Sequence, residues 1–252
     1  MIGSVSRFIR GFGDVFSAYD HLRISGLWPY LLLSGLISLG LSTWIIFELL
    51  GMSSTIGPFL QDVIPWEWAK SFISNFGTII AFIIVAFIYF LAYRYVILAI
   101  LSPVMSALSV SFEKKLLLQD NLDTNSNFIS ELWRGIRISI RNFFKEMQYT
   151  ILLILASFIP LVSVVTGPAT FLVQSYFMGF SSLDYYLERY VSMQQSIQIA
   201  KRHRMYLMGT GAAFMVILMI PVLGAFVAPT LATIATTEWA VKNNVRFDMD
   251  EA

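Results

Sequence analysis

Long stretches without any charged residue dominate the hydrophobic pattern of this chain. Residues 24–47 and 71–93 carry no charge at all, and about 20 apolar residues are enough for a helix to cross the hydrocarbon of a bilayer. The helical pattern of the second stretch continues into the sequence that follows it. The pattern predicts an all-α integral membrane protein with two long transmembrane helices, over residues 24–50 and 66–117.

Two further apolar runs, residues 148–183 and 205–237, are each interrupted by a pair of prolines. The prolines lie eight positions apart in both runs, in the segments FIPLVSVVTGPAT and MIPVLGAFVAPTL. If the chain turns between the prolines, each remaining limb has about 10–15 apolar residues, a length more typical of re-entrant segments than of spans. The pattern therefore predicts two partly penetrating helical hairpins, over residues 128–190 and 194–241.

Proline suits such a turn because it lacks the N–H that continues a helix and disfavours helical conformation in the residue before it. Pro168 and Pro229 are predicted to begin the second limbs, where a missing N–H costs nothing. The polar backbone groups of a turn inside a bilayer need partners. We therefore expect both turns to be covered by protein or water, which favours a homo-oligomer.

The N-terminal segment, residues 1–23, is predicted to form an amphipathic helix. Phe8, Phe12, Phe16 and Tyr19 recur at spacings of three and four and alternate with charged residues. A helix of this kind lies at a membrane interface and contacts membrane lipids.

The distribution of basic residues predicts the orientation in the membrane. Between residues 48 and 70 the only cation is Lys70, and every other Lys or Arg lies before residue 24 or after residue 93. By the positive-inside rule both termini of this multi-pass protein are cytoplasmic and the 48–70 loop is external. Six full spans would give the same orientation, so only limb length favours two spans with two hairpins.

Composition agrees with a single membrane domain over residues 1–252. The chain is 57% hydrophobic and only 13% charged, with a mean hydropathy of +0.70, whereas about a quarter of a soluble domain is charged. The net charge of +1 gives no argument for nucleic acid. The absence of cysteine and the two distant histidines, His21 and His203, argue against a metal site, and no cofactor is expected.

Four segments together carry a resemblance to a known family. In order and spacing they are similar to the CysZ family of bacterial inner-membrane sulfate transporters, over residues 8–239. The segments are LSPVMSALSVSFEKKL (101–116), FIPLVSVVTGPATF (158–171), LDYYLER (183–189) and the tract from KRHRMYLMGTG to ATIATTEW (201–239).

The resemblance implies two long transmembrane helices with two partly penetrating hairpins, and oligomeric assembly in the bacterial inner membrane. It also implies passage of sulfate into the cytoplasm, where sulfate feeds cysteine synthesis. The family carries a Gly-Leu-Arg or Gly-Ile-Arg element just before its first span, and the resemblance implies that this element binds sulfate. Here Gly26 and Leu27 match that element, and Trp28 stands where the family has its arginine.

The start of the first span is the candidate anion site. A sulfate dianion needs backbone N–H groups at a helix N-terminus or a fork-shaped cation. Arg23, Ser25, Gly26 and Leu27 are predicted to form an anion-contacting turn, with Ser25 as the N-cap. The alternative is that Ser25 only caps the helix while Arg23 anchors to lipid phosphate.

A second candidate is a charged vestibule on the cytoplasmic side, formed by Glu113, Arg134, Arg137 and Arg141. The three arginines follow one stripe of a helix and would either concentrate anions or face lipid headgroups. Glu113 is predicted to pair with Arg137 or Arg141 across the pore mouth, or else is an ordinary helix-end charge.

Asp184 is expected to pair with Arg202 or Arg204. The glycines of the GTG segment at 209–211 follow no strand and are interpreted as a helix-packing site. With no catalytic constellation in the sequence, an enzyme is not expected.

The sequence favours channel-like transport of sulfate or a related oxyanion into the cytoplasm. The alternative function is that of a membrane-embedded structural or lipid-interacting protein with the same fold.

Overall fold

Helices make up the part of the chain that the structure describes. The computed structural model describes residues 2–63, 95–119, 128–220 and 223–245, and these residues contain no β-strand. In chain order the helices are α1 (Ile2–Ser25), α2 (Trp28–Val63), α3 (Tyr95–Leu117), α4 (Phe128–Ala156), α5 (Pro160–Leu187), α6 (Met193–Arg202), α7 (Arg204–Leu218) and α8 (Leu223–Lys242). The predicted all-α fold is confirmed.

Among the described residues, two helical segments are long and apolar enough to cross a membrane, Tyr95–Leu117 and Leu161–Leu187. Helix α1 and the first part of α2 form a pair bent by 119° that meets the same test as one unit. The chain is therefore a helical membrane protein. Helix α2 continues past residue 50, where the first span was predicted to end, and residues 66–94 of the predicted second span lie outside the described residues.

The chain forms two compact units. The larger comprises Met1–Leu36 and Leu98–Ala252, and the smaller comprises Ile37–Ile97. In the larger unit, α5, α7 and α8 pack against one another, α1 lies on α7 and α8, and α4 lies on α5. Every candidate site residue named above belongs to this larger unit, so its packing decides which of them meet.

Helix α1 confirms the predicted N-terminal helix, and it packs against protein with a face other than the aromatic one. Val15, Ala18 and Leu22 are fully buried, whereas Phe16 and Tyr19 are each 48% exposed. This stripe of small and aliphatic residues packs against protein. Small residues at such a contact allow two helices to approach each other closely. The aromatic stripe stays available to the membrane.

Glycines set the closest helix contacts. A Cβ on Gly11 of α1 would overlap the carbonyl oxygen of Tyr206 on α7, and a Cβ on Gly209 would overlap that of Phe8. On the other side of α7, a Cβ on Gly211 would overlap the carbonyl of Ser175 on α5. The interpretation of the GTG segment as a packing site is confirmed.

The prediction that Pro168 and Pro229 begin the second limbs is wrong. Helix α4 ends at Ala156 and Pro160 begins α5, so Pro168 lies inside that helix. Pro229 likewise lies inside α8, and Pro221 is outside the described residues. A bilayer helix tolerates an interior proline because nearby hydroxyls and helices satisfy the freed backbone groups. Near Pro168, the hydroxyls of Thr166 and Thr170 donate to the carbonyls of Ser163 and Thr166.

This placement changes the limb lengths. The whole helices of the first hairpin are 29 and 28 residues long, and those of the second are 15 and 20 residues long. Of the first pair, α5 has an apolar segment long enough to span, Leu161–Leu187, whereas α4 is not among the candidate spans of the described residues. The length argument for partial penetration is therefore wrong for the α5 limb of the first hairpin. It holds for α7, which is shorter than a span.

The turn of the first hairpin satisfies its own N–H groups. The backbone N–H groups of Ser157, Phe158 and Ile159 donate to carbonyls in the last turn of α4, at 2.9, 3.4 and 3.1 Å. Phe158 is 80% and Leu161 89% exposed beside this turn. The N–H groups of this turn therefore give no argument for a covering subunit.

Candidate functional site

Helix α3 presents a buried polar stripe. Ser102, Ser106, Ser109 and Glu113 recur at spacings of four, three and four, which places them on one helix face. All four are buried, with Glu113 only 1% exposed. Polar groups buried inside a membrane-spanning helix are costly unless they are bonded, and they mark functional positions more often than apolar ones do. We call these four residues the α3 polar stripe.

The acidic end of the stripe forms a buried ion pair with the segment that follows α5. Arg189 Nη2 lies 2.8 Å from Glu113 Oε2, and the two side chains are 9% and 1% exposed. Arg189 also donates to Ser109 Oγ at 3.2 Å, and the hydroxyl of Tyr190 donates to Glu113 Oε1 at 2.8 Å. The predicted pairing of Glu113 with Arg137 or Arg141 is wrong, because α3 presents its stripe to the end of α5.

A second ion pair joins α4 to α5. Arg134 donates from Nη2 and Nε to the two carboxylate oxygens of Asp184 at 2.9 and 3.2 Å, and from Nη1 to the carbonyl of Val191 at 2.8 Å. Ser196, at the start of α6, donates to the same carboxylate. The predicted partners of Asp184, Arg202 and Arg204, are therefore wrong. Arg134 holds the connection between α5 and α6 in place, and its role in this structure is therefore structural.

Two more carboxyl groups lie at this junction. Ser106 of the stripe donates to Glu131 Oε1 at 3.0 Å, and Ser102 donates to the Glu131 carbonyl at 3.1 Å. Glu188 follows α5 directly, and its Oε1 is buried without a hydrogen-bond partner among the described residues. Burial, with the nearby Asp184 charge, raises the pKa of Glu188 from 4.5 to about 8.

The remaining arginines of the predicted vestibule point elsewhere. Arg137 is exposed and lies 5.8 Å over the ring of Trp133. Arg141 donates to Asn142 Oδ1 at 2.8 Å and lies over the ring of Phe180. The structure thus does not gather the four predicted residues at one mouth.

Helix α4 buries its small and polar face. Gly135, Ile138, Ser139, Asn142 and Glu146 are buried, while Trp133, Ile140 and Phe144 are 52–67% exposed. An outward apolar face is expected where lipid rather than water surrounds a helix.

The predicted anion turn lies where α1 meets α2. Ser25 is the last residue of α1 rather than the N-cap of α2, and its hydroxyl donates to the Leu22 carbonyl at 3.3 Å. Gly26 adopts φ 66°, the left-handed conformation that favours glycine after a helix end, and Leu27 is buried. Arg23 is exposed. The four predicted residues are neighbours in one turn, but the N-cap assignment is wrong.

A cationic cleft of about 760 Å³ opens beside this turn, between the ends of α1 and α3. Lys115 donates its ammonium to the Ser25 carbonyl, and Lys114 lines the same space. The other lining residues are His21, Ile24, Ser111, Phe112, Leu116 and Leu118. We call this space the α1–α3 cleft.

Sequence reasoning missed Arg189, Tyr190, Glu188 and the serines of the stripe. The regular spacing of Ser102, Ser106, Ser109 and Glu113 was a readable signal, since a polar stripe inside an apolar helix predicts a buried network. Their partners in the segment that follows α5 had no such signal, because pairing across helices depends on how the helices pack.

The sites described above lie within the region that a known family covers. The family described as sulfate transporter CysZ/Etoposide-induced protein 2.4 matches residues 7–229, from α1 into α8. No curated protein matches the chain. Since the match takes in most of the chain, with both ion pairs, the α3 polar stripe and the α1–α2 turn, the protein belongs to the CysZ/Etoposide-induced protein 2.4 family.

Proposed function

We propose that this protein carries sulfate or a related tetrahedral oxyanion across the bacterial inner membrane into the cytoplasm, in a channel-like manner that supplies cysteine synthesis. The observation that carries the proposal is the family match over residues 7–229. A transporter family also favours transport over catalysis as the activity. Both termini are proposed to be cytoplasmic, and the resemblance favours a homo-oligomer.

The α1–α3 cleft supports an anion site next to the predicted turn. The first turn of α2 has few donors to offer, because Pro29 has no N–H and the Tyr30 N–H already donates to the Leu27 carbonyl at 3.2 Å. Lys114 and Lys115 supply positive charge at the other wall of the cleft. We propose that the lysines take over the role of the arginine that Trp28 replaces, with Arg23, Ser25, Gly26 and Leu27 at the rim.

Arg137 and Arg141 remain proposed vestibule residues. Arg137 is exposed, so its charge can raise the local concentration of anions. The Glu113–Arg189 pair is buried, so Glu113 would contribute to the vestibule by holding the Arg189 guanidinium in place. A guanidinium is a good oxyanion ligand because its donors form a fork.

Sulfate uptake into proteoliposomes tests the function and the site separately. Wild-type protein is expected to carry labelled sulfate above the rate of empty liposomes. Replacing Lys114 and Lys115 by alanine is expected to weaken sulfate affinity about tenfold or more, because each charged hydrogen bond contributes about 1.5–3 kcal/mol. Lys201→Ala is the control, since Lys201 is an exposed cation on α6.

The outcomes separate the two claims. Absence of flux with folded wild-type protein contradicts transport. Normal flux with unchanged affinity in the lysine variant and in Arg23→Ala contradicts the site and leaves transport standing.

The second candidate function is a structural or lipid-interacting role. It is favoured by Trp28, which is 38% exposed and packs edge-on to Tyr19 with ring centroids 6.2 Å apart. Two aromatic rings at a membrane boundary are typical interface anchors. Lipid binding without sulfate flux is the result expected from this alternative.

A further inference from the structure

The junction of α3, α4 and α5 holds more negative than positive charge. Arg189 pairs with Glu113, and Arg134 pairs with Asp184. Glu131 and Glu188 are left, and neither forms an ion pair with a described residue. Both residues are partly buried, and an excess of carboxylates is unfavourable where water is partly excluded, so one of them needs a proton or a cation.

Glu188 is the group that needs the proton. Its Oε1 exposes less than 1 Å² and has no hydrogen-bond partner among the described residues. Burying an ionised oxygen without a partner is among the costliest arrangements in a protein, and protonation relieves it. The described residues contain no group of side chains that could hold a metal ion instead.

Ser106 lies beside the two leftover carboxyl groups. Its hydroxyl donates to Glu131 Oε1 at 3.0 Å. One hydroxyl has one proton to donate, and Glu188 Oε1 remains without a hydrogen-bond partner among the described residues.

We propose that Glu188 is a proton-binding site, protonated at neutral pH because its Oε1 is enclosed without a partner one helical turn after the Asp184 carboxylate. Loss of this proton to solvent leaves Glu131, Asp184 and Glu188 all ionised around Arg134. Their repulsion loosens the contact between the start of α4 and the end of α5.

Titratable and polar groups from three helices surround Glu188. Asp184 and Tyr185 face it from α5, Glu131 and Arg134 from α4, and Ser106 from α3. Burial and the carboxylates raise the pKa of Glu188, while Ser106 and Arg134 oppose the rise, and the value comes to about 8. Proton binding does not rest on the proposed transport, whereas any effect on sulfate flux does.

Infrared difference spectroscopy of the intact purified protein tests the proposal. A protonated carboxyl band is expected at pH 7, disappearing with a midpoint of about 8, and Glu188→Gln removes it. Asp20→Asn is the control, because Asp20 is exposed on α1 and its replacement should leave the band unchanged.

Glu131→Gln keeps the test decisive if Glu188→Gln does not fold. Removing the neighbouring charge is expected to lower the midpoint of the band, because a like charge raises a carboxyl pKa. Absence of a band at pH 7, or a band that survives in Glu188→Gln, overturns the proposal. An unchanged midpoint in Glu131→Gln overturns the effect of the Glu131 charge on Glu188. Each result can be read whether or not the protein transports sulfate.

Discussion

Gly11 and Gly13 lie two positions apart in α1 but have different surroundings. An alanine Cβ at Gly11 would overlap the Tyr206 carbonyl oxygen and lie 3.1 Å from N and Oγ1 of Thr210, whereas no atom lies within 4 Å at Gly13. Both replacements change the helix propensity by the same amount. A comparison of the two variants therefore isolates the cost of separating α1 from α7.

The magnitude follows from two opposing terms. Alanine is favoured over glycine in a helix interior by about 0.8–1 kcal/mol, and Gly13→Ala is expected to gain this in full. At Gly11 the helices must separate by about 1 Å to restore ordinary contact, and such overpacking costs about 1–3 kcal/mol. Gly11→Ala is thus expected to be less stable than Gly13→Ala by about 1–3 kcal/mol, or about 2–12 °C in Tm.

Thermal unfolding of both variants in the same detergent, followed by circular dichroism, measures the difference. Gly13→Ala should unfold at or above the wild-type temperature and Gly11→Ala below that of Gly13→Ala. Equal melting temperatures, or a more stable Gly11→Ala, would refute the close approach of α1 and α7.

Three further predictions use the same measurement. Glu113→Gln leaves the buried Arg189 without its counter-charge and should lower the free energy of unfolding by about 3–5 kcal/mol. Adding Arg189→Met should recover part of this loss. If the double variant instead loses the sum of the two single-variant losses, the pair is contradicted. Pro168→Ala should raise the free energy of unfolding by about 1–3 kcal/mol, because it restores an N–H inside α5. Pro160→Ala, at the start of α5, should change it by less than about 1 kcal/mol. Equal effects of the two replacements would contradict the start of α5 at Pro160. The raised pKa of Glu188 means that this carboxyl binds more protons in the folded than in the unfolded protein between pH 4.5 and about 8. Wild type should therefore lose stability as pH rises through this window, and a slope retained in Glu188→Gln would contradict the assignment.

Fold class and family were readable from the sequence because they depend on local pattern. The uncharged runs identify membrane helices whatever their packing. The position of a proline within a helix was less readable, since proline fits both a helix start and the interior of a membrane helix. Pro160 and Pro168 illustrate the two cases within α5.

Charge pairing was not readable because it depends on tertiary placement. Glu113 and Arg189 are 76 positions apart and meet only because α3 packs against the end of α5. The arginines of α4 share a stripe in sequence, yet Arg134 reaches Asp184 and Arg137 stays exposed. Helix periodicity gives the face of a residue, whereas its partner depends on the neighbouring helix.

Sulfate influx into proteoliposomes that contain the intact wild-type chain is the most direct test of the transport proposal. Labelled sulfate should enter above the rate of empty liposomes, and replacing Lys114 and Lys115 by alanine should weaken the apparent affinity. A folded wild-type protein that gives no influx above empty liposomes would contradict the proposal.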